Sequence, residues 1–192
     1  MPLLIVGLLL FLGVHSISIV VPGMRERAIR AVGAGAWKGL YALAALAGLI
    51  LLCYGFSAAR QTPVLLYSPP HWLRHVALLL MLPVFPLLLA AYLPGRIKAT
   101  VKHPMLTAVK TWALAHLLAN GTLADVVLFG SFLAWAVADR ISLKRRPAAP
   151  PLRAAPPRAW NDAAAVVIGL AIYAVTIGWL HLRLFGVSPL AP

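Results

Sequence analysis

Long apolar runs broken by short basic segments dominate the chain. Residues 1–24, 39–59, 75–95 and 163–182 carry no Asp, Glu, Lys or Arg. Each is close to the roughly 20 residues that a bilayer's hydrocarbon core requires of a helix. A charged residue at the centre of such a helix costs about 2.5–3.5 kcal/mol, so charge-free length is the primary signal for a span. The first run lacks a basic leader and a small-residue cleavage pattern and reads as a retained helix. Between residues 103 and 140, Lys110 and Asp125 interrupt the apolar pattern and Asn120-Gly121 marks a turn. Pro104 suits a first helical turn, so a short helix and its antiparallel partner are expected on either side of that turn, with a re-entrant or tilted arrangement as the alternative. The expected spans lie at about 2–22, 39–59, 73–94, 104–120, 122–140 and 162–183. A Pro-rich cytoplasmic linker over residues 146–158, with repeated Ala-Pro, reads as extended chain before the last span.

Composition supports the same class. Of 192 residues 62% are hydrophobic and 11% charged, against about 25% charged in soluble domains. Mean hydropathy is +0.90. After about six spans little chain remains for a soluble catalytic domain. The net charge of +13 would suggest nucleic acid in a polar protein, but here the basic residues lie between apolar runs. With the amino terminus outside, only Arg60, Arg74 and Arg183 of the 17 Lys and Arg fall on the outer side. The positive-inside rule then predicts a multi-pass protein of the bacterial inner membrane with both termini outside, and no nucleic-acid partner is needed. Cys53 is the lone cysteine, which excludes an intrachain disulfide and a Cys-based metal cluster.

Polar side chains inside spans are the candidates for chemistry, because burial in lipid is expensive unless they are paired, ligated or hydrated. His15 lies within the first span and His116 within the fourth. Two inward-facing His on different helices of a bundle are an arrangement that can hold haem iron through axial ligation. The alternative is that each imidazole is satisfied by a neighbouring carbonyl or hydroxyl, Ser16 and Ser18 being close to His15. His71 and His75 share a face at the outer start of the third span, and His75 matches His116 in depth, which makes it an alternative ligand. His181 at the outer rim reads as a wet interfacial side chain. Asp125 either orients His116 from across the Asn120-Gly121 turn or caps the start of its own helix. Lys102, His103 and Pro104 form an inner-rim motif level with Asp139 and Arg140, and its plainer reading is a solvated rim. Trp37, Trp72, Trp160 and Trp179 fall near span ends as an aromatic belt would. Trp112 and Trp135 lie deeper, either packing or lining a cofactor.

The segment K-H-P-M-L-T-A-V-K-T-W-A-L-A-H-L-L-A-N-G over residues 102–121, with L-F-G-S-F-L-A-W-A-V-A-D-R over 128–140 and L-G-V-H-S over 12–16, resembles the NnrU family of bacterial membrane proteins. The resemblance implies a link to denitrification, through the expression or activity of nitrite and nitric oxide reductases. That family is similar in turn to the plant 15-cis-zeta-carotene isomerases, whose W-C-L-A-H and H-S motifs match W-A-L-A-H, ending at His116, and His15-Ser16. This second likeness implies haem b with His15 and His116 as axial ligands, and a cis-trans isomerase of a carotenoid or other polyene lipid as an alternative function. Ala113 stands where those enzymes carry a cysteine, so a ligand exchange through that cysteine does not transfer. The K-H-P-M element also resembles the R-H-P-x of isoprenylcysteine carboxyl methyltransferases. Lys102 replaces their Arg and Asp139-Arg140 their acidic pair, which disfavours methyl transfer.

The expectation is therefore an all-α polytopic bundle of about six helices in one integral membrane domain, binding haem b and linked to denitrification. Its partners would be the lipid bilayer and an apolar lipid-like substrate or redox partner. A non-catalytic accessory protein whose histidines only bridge helices is the third reading.

Overall fold

In the computed structural model the described residues are 1–145 and 158–191. The expected linker thus lies, apart from Arg158, outside them. The apolar runs fold as helices because a backbone in hydrocarbon must satisfy its own N–H and C=O groups. Five helices are long and apolar enough to cross a membrane, Pro2–Val20, Ala34–Ala59, Leu73–Tyr92, Leu123–Arg145 and Trp160–Phe185. Large apolar side chains lie exposed along them, such as Leu9, Leu43 and Val167, the surface expected of a protein whose solvent is lipid. The protein is a multi-pass, all-α membrane protein.

The described residues divide into two compact units. The first comprises Met1–Ser68 and Asn120–Leu143. Its α1 (Pro2–Val20) starts with proline in the first turn, where the missing N–H costs nothing. A turn at Gly23, with φ of 82°, leads into the short α2 (Met24–Val32). Three exposed arginines, Arg25, Arg27 and Arg30, alternate there with half-buried Ala28 and Ile29. Gly33, at φ 85°, then turns the chain into α3 (Ala34–Ala59).

α1 and α3 pack antiparallel along a seam of glycines. A Cβ at Gly7 would strike the Leu52 backbone, one at Gly55 the Leu4 backbone, and one at Gly48 would lie 2.7 Å from the Phe11 nitrogen. Lipid offers no hydrophobic drive for helix association, so close backbone approach through small residues supplies the packing energy. α8 (Leu123–Arg145) joins them through aromatic pairs, Phe56 with Phe129 at 6.2 Å and Phe11 with Phe132 at 5.8 Å between centroids.

The start of α8 is tied to the loop after α3. The Leu66 and Tyr67 amides donate to the Gly121 carbonyl, the Leu123 amide donates to Val64 O at 2.8 Å, and the Tyr67 hydroxyl donates to Asn120 O at 2.6 Å. A Cβ at Gly121 would overlap the Tyr67 carbonyl. Position 121 therefore needs glycine for this close approach. The end of α3 and the start of α8 share one end of this unit, which leaves Arg25, Arg27, Arg30, Lys38 and Arg140 at the other.

The second unit comprises Pro69–Ala119 and Lys144–Pro192. The third expected span is broken into α4 (Leu73–Met81) and α5 (Val84–Tyr92). Pro83 has no N–H, and the Leu82 amide turns to Leu79 O. This shift releases the Leu78 carbonyl, which accepts the Tyr173 hydroxyl at 2.8 Å, so a neighbouring helix satisfies what proline disrupted. After α6 (Arg96–Val101), α7 (Pro104–Ala119) packs on α4 and α5. Its sixteen residues rise only about 24 Å, short of a full crossing, as its length in the sequence suggests. The last span begins with α9 (Ala159–Val175), passes through a five-residue π-helical stretch, Thr176–Leu180, and ends in α10 (His181–Phe185).

Asn161 and Asp162 fasten the start of α9 to the α5–α6 junction. The Asp162 carboxylate accepts the Arg96 amide at 2.8 Å and the Ile97 amide at 3.0 Å, while the Asn161 side chain donates to Pro94 O at 2.7 Å. At the opposite end of this unit the Arg74 guanidinium donates to Ala191 O. Helix bounds differ from expectation mainly at polar ends. α3 begins five residues early and α8 continues to Arg145, because helical hydrogen bonding extends past the apolar core into the interface.

Candidate functional site

In the first unit His15 sits on α1 among aromatic rings. Its ring centroid is 4.3 Å from that of Phe11, 5.6 Å from Tyr41 and 6.1 Å from Trp135, the last two edge-on. Its Nδ1 lies 2.7 Å from the Phe11 carbonyl one turn back. A carbonyl only accepts, so Nδ1 is the donor and Nε2 is the ring nitrogen left for another partner. Ser16 donates to Leu12 O in the same manner and is occupied by its own helix. The indole Nε1 of Trp135 is buried and has no hydrogen-bond acceptor among the described residues. A cavity of about 270 Å³ opens beside His15, lined also by Val14, Ile17, Ser18, Arg25, Trp37, Lys38 and Tyr41. Trp37, expected in an interfacial belt, is thus a half-buried wall of this cavity.

Asp125, also in the first unit, is 7% exposed, the one polar residue among the buried side chains described. Its Oδ2 accepts the Thr122 hydroxyl at 2.6 Å and the Thr122 amide at 3.1 Å, while the Asp125 amide donates to Thr122 Oγ1 at 3.3 Å. This reciprocal capping box starts α8 and is the helix-capping role open to Asp125 from sequence. Burial, and then the Asp125 charge, raise the Tyr67 phenol above its ordinary pKa, so it remains a donor to Asn120.

In the second unit His116 on α7 shows the geometry of His15. Its Nδ1 lies 2.8 Å from the Trp112 carbonyl one turn back, and the two rings are 5.3 Å apart. Ala113, one residue after Trp112, is fully buried. His75 is exposed on α4. His71 and Arg74 line a separate cavity of about 190 Å³ with Pro69, Pro70 and Ala119. His181 Nδ1 meets Val187 O at 2.7 Å.

The Lys102-His103-Pro104 segment has an unusual backbone. Lys102 has φ 63° and ψ −47°, and the His103 amide donates to Val101 O at 2.7 Å, which makes Lys102 the centre of a γ-turn of the rare, strained hand. His103 then caps α7 through its carbonyl, which accepts the Thr107 amide and hydroxyl, and Pro104 occupies the first turn. Sequence reasoning missed the Asn161-Asp162 clamp, although an acidic residue just before an apolar run was a visible capping signal. No group of three or more His, Cys, Asp or Glu side chains gathers as a metal site among the described residues.

An apolar helical chain with five helices long enough to cross a bilayer, and single histidines each held by a carbonyl one turn back, defines a polytopic all-α membrane protein. The family model for the NnrU protein matches residues 3–189, and the chain belongs to the NnrU family. No curated protein and no solved structure matches it.

Proposed function

We propose that this NnrU-family protein holds haem b through Nε2 of His15 and Nε2 of His116, and serves the reduction of nitrogen oxides in the bacterial inner membrane. The observation that carries the reading is the shared state of the two imidazoles. Each Nδ1 is held by the carbonyl one turn earlier, at 2.7 and 2.8 Å, and this second contact orients a ligating histidine and presents Nε2 to a metal. The surroundings of His15 suit such a group, since Phe11, Tyr41 and Trp135 offer ring surfaces and the Trp135 N–H has no acceptor among the described residues. When bound, haem would supply one-electron redox chemistry at iron. The protein's own part is to orient the ligands and exclude water.

The test is spectroscopic. Full-length protein purified from haem-supplemented cells is expected to show the Soret band of low-spin bis-imidazole haem, and His15→Ala or His116→Ala to abolish it. Colourless protein refutes the reading. Retention in both variants with loss in His75→Ala would move the ligand to α4.

A further inference from the structure

The cavity beside His15 has a second chemical character that iron ligation does not use. Arg25 and Lys38 both line it, and no carboxylate does. The ion pair of Arg25 is with its neighbour Glu26, at 3.8 Å, with both side chains more than half exposed, a geometry that neutralises little. Among the described residues neither Lys38 nor the Ser18 hydroxyl has a hydrogen-bond or ion-pair partner. The cavity thus gathers two cations and a hydroxyl with no anion to meet them.

Its lining is also graded in depth. His15 lies about 4.5 Å further into α1 than Ser18, and Tyr41 nearly one turn further into α3 than Lys38. The charged groups and the Ser18 hydroxyl therefore stand toward the helix ends, and Val14 and the His15 and Tyr41 rings stand inward. On the same two helices Val20 is 74% and Leu40 60% exposed, leaving apolar surface outside the cavity. A volume of about 270 Å³ is just below the usual range for a small-molecule site, about 300–1,000 Å³. That is room for a head group, with its chains lying outside.

We propose that this cavity binds the phosphate head group of an anionic phospholipid. Arg25, Lys38 and Ser18 meet the phosphate, Trp37 and Tyr41 flank the glycerol, and the acyl chains run along the exposed faces of α1 and α3. The site does not need the Nε2 of His15, so it goes beyond the haem reading. The two fail separately, because the lipid measurement uses protein prepared without haem supplementation and its variants leave both histidines in place.

The test uses the full chain, delipidated in neutral detergent and titrated with dioleoyl phosphatidylglycerol, with phosphatidylcholine and with inorganic phosphate, each followed by native mass spectrometry. One phosphatidylglycerol is expected to bind in preference to phosphatidylcholine. Arg25→Gln and Lys38→Gln should each weaken it about fivefold, the effect of one cation near an anionic surface. Arg27→Gln and Arg30→Gln, on exposed α2 positions outside the lining, should leave affinity within about twofold. All four side chains are exposed, so unchanged thermal melts will separate lost binding from lost folding. Equal losses in all four variants, or equal binding of the two lipids, would overturn the site in favour of diffuse surface attraction. Inorganic phosphate binding as tightly as phosphatidylglycerol would overturn the lipid assignment.

Discussion

Replacing Asp162 by alanine removes the acceptor of two amide donors, Arg96 N–H at 2.8 Å and Ile97 N–H at 3.0 Å, which are the first free donors of α6. Hydrogen bonds to a charged group are worth about 1.5–3 kcal/mol each when protected from water. One of these is exposed and the other half-buried, so water recovers part, and a net loss of about 2 kcal/mol is expected. Asp162→Asn keeps one acceptor oxygen without the charge and should lose about 1 kcal/mol. Gly95 supplies an independent handle on the same contact. A Cβ there would lie 2.7 Å from Asp162 Cγ and collide with the carboxylate, yet its φ of −155° is extended backbone open to any residue. Gly95→Ala should therefore destabilise through the collision alone, by about 2 kcal/mol. In an Asp162→Ala background the obstacle is gone, and Gly95→Ala should become nearly neutral. Thermal melts of the purified full chain, followed by circular dichroism, read this cycle, with about 2–4 °C expected per kcal/mol for a chain of this size. Additive losses in the double variant, or an Asp162→Ala change below about 0.5 kcal/mol, would refute the clamp.

The glycine seam between α1 and α3 predicts that Gly7→Val or Gly55→Val forces the helices apart and prevents recovery of folded protein from the membrane. Gly13→Ala, with nothing near its added carbon, should be tolerated or mildly stabilising, as yields and melts in detergent will report. Tyr67→Phe should cost about 0.5–1 kcal/mol by removing the donor to Asn120 O. The pKa of Tyr67 is raised on folding, by burial first and the Asp125 charge second. Its contribution is accordingly complete below the unfolded value near 10 and is lost as pH rises through the folded value. Ultraviolet titration of tyrosinate in the parent and in Asp125→Asn should show the Tyr67 transition move down in the variant, and an unmoved transition would dismiss the Asp125 contribution.

The spans were legible because hydrocarbon imposes length and apolarity on every helix separately. Helix existence, the helix break at Asn120-Gly121 and Pro104 in a first turn follow from local chemistry and appear in the structure. So does the capping alternative for Asp125, which needs only Thr122 three residues away. The α4–α5 break was less legible, although Pro83 was in view, because its consequence depends on Tyr173 arriving 95 residues later to take the Leu78 carbonyl. α2 and α6 were hidden by their shortness and polarity, which look like loop.

His15 and His116 could be named from sequence alone, since an imidazole in an apolar run is conspicuous against the cost of burying it. Their Nδ1 contacts also repeat at a spacing of four and lie within local reach. The company of His15 is another matter. Tyr41, Trp37 and Lys38 of α3 and Arg25 of α2 reach one cavity, and Trp135 of α8 meets the His15 ring, because the glycines of α1 and α3 allow close backbone contact. Apolar periodicity and charge determined that this chain is a membrane bundle and which residues are costly within it. Tertiary packing decided which of them meet, because side-chain encounters between helices depend on close-range shape that no one-dimensional pattern records.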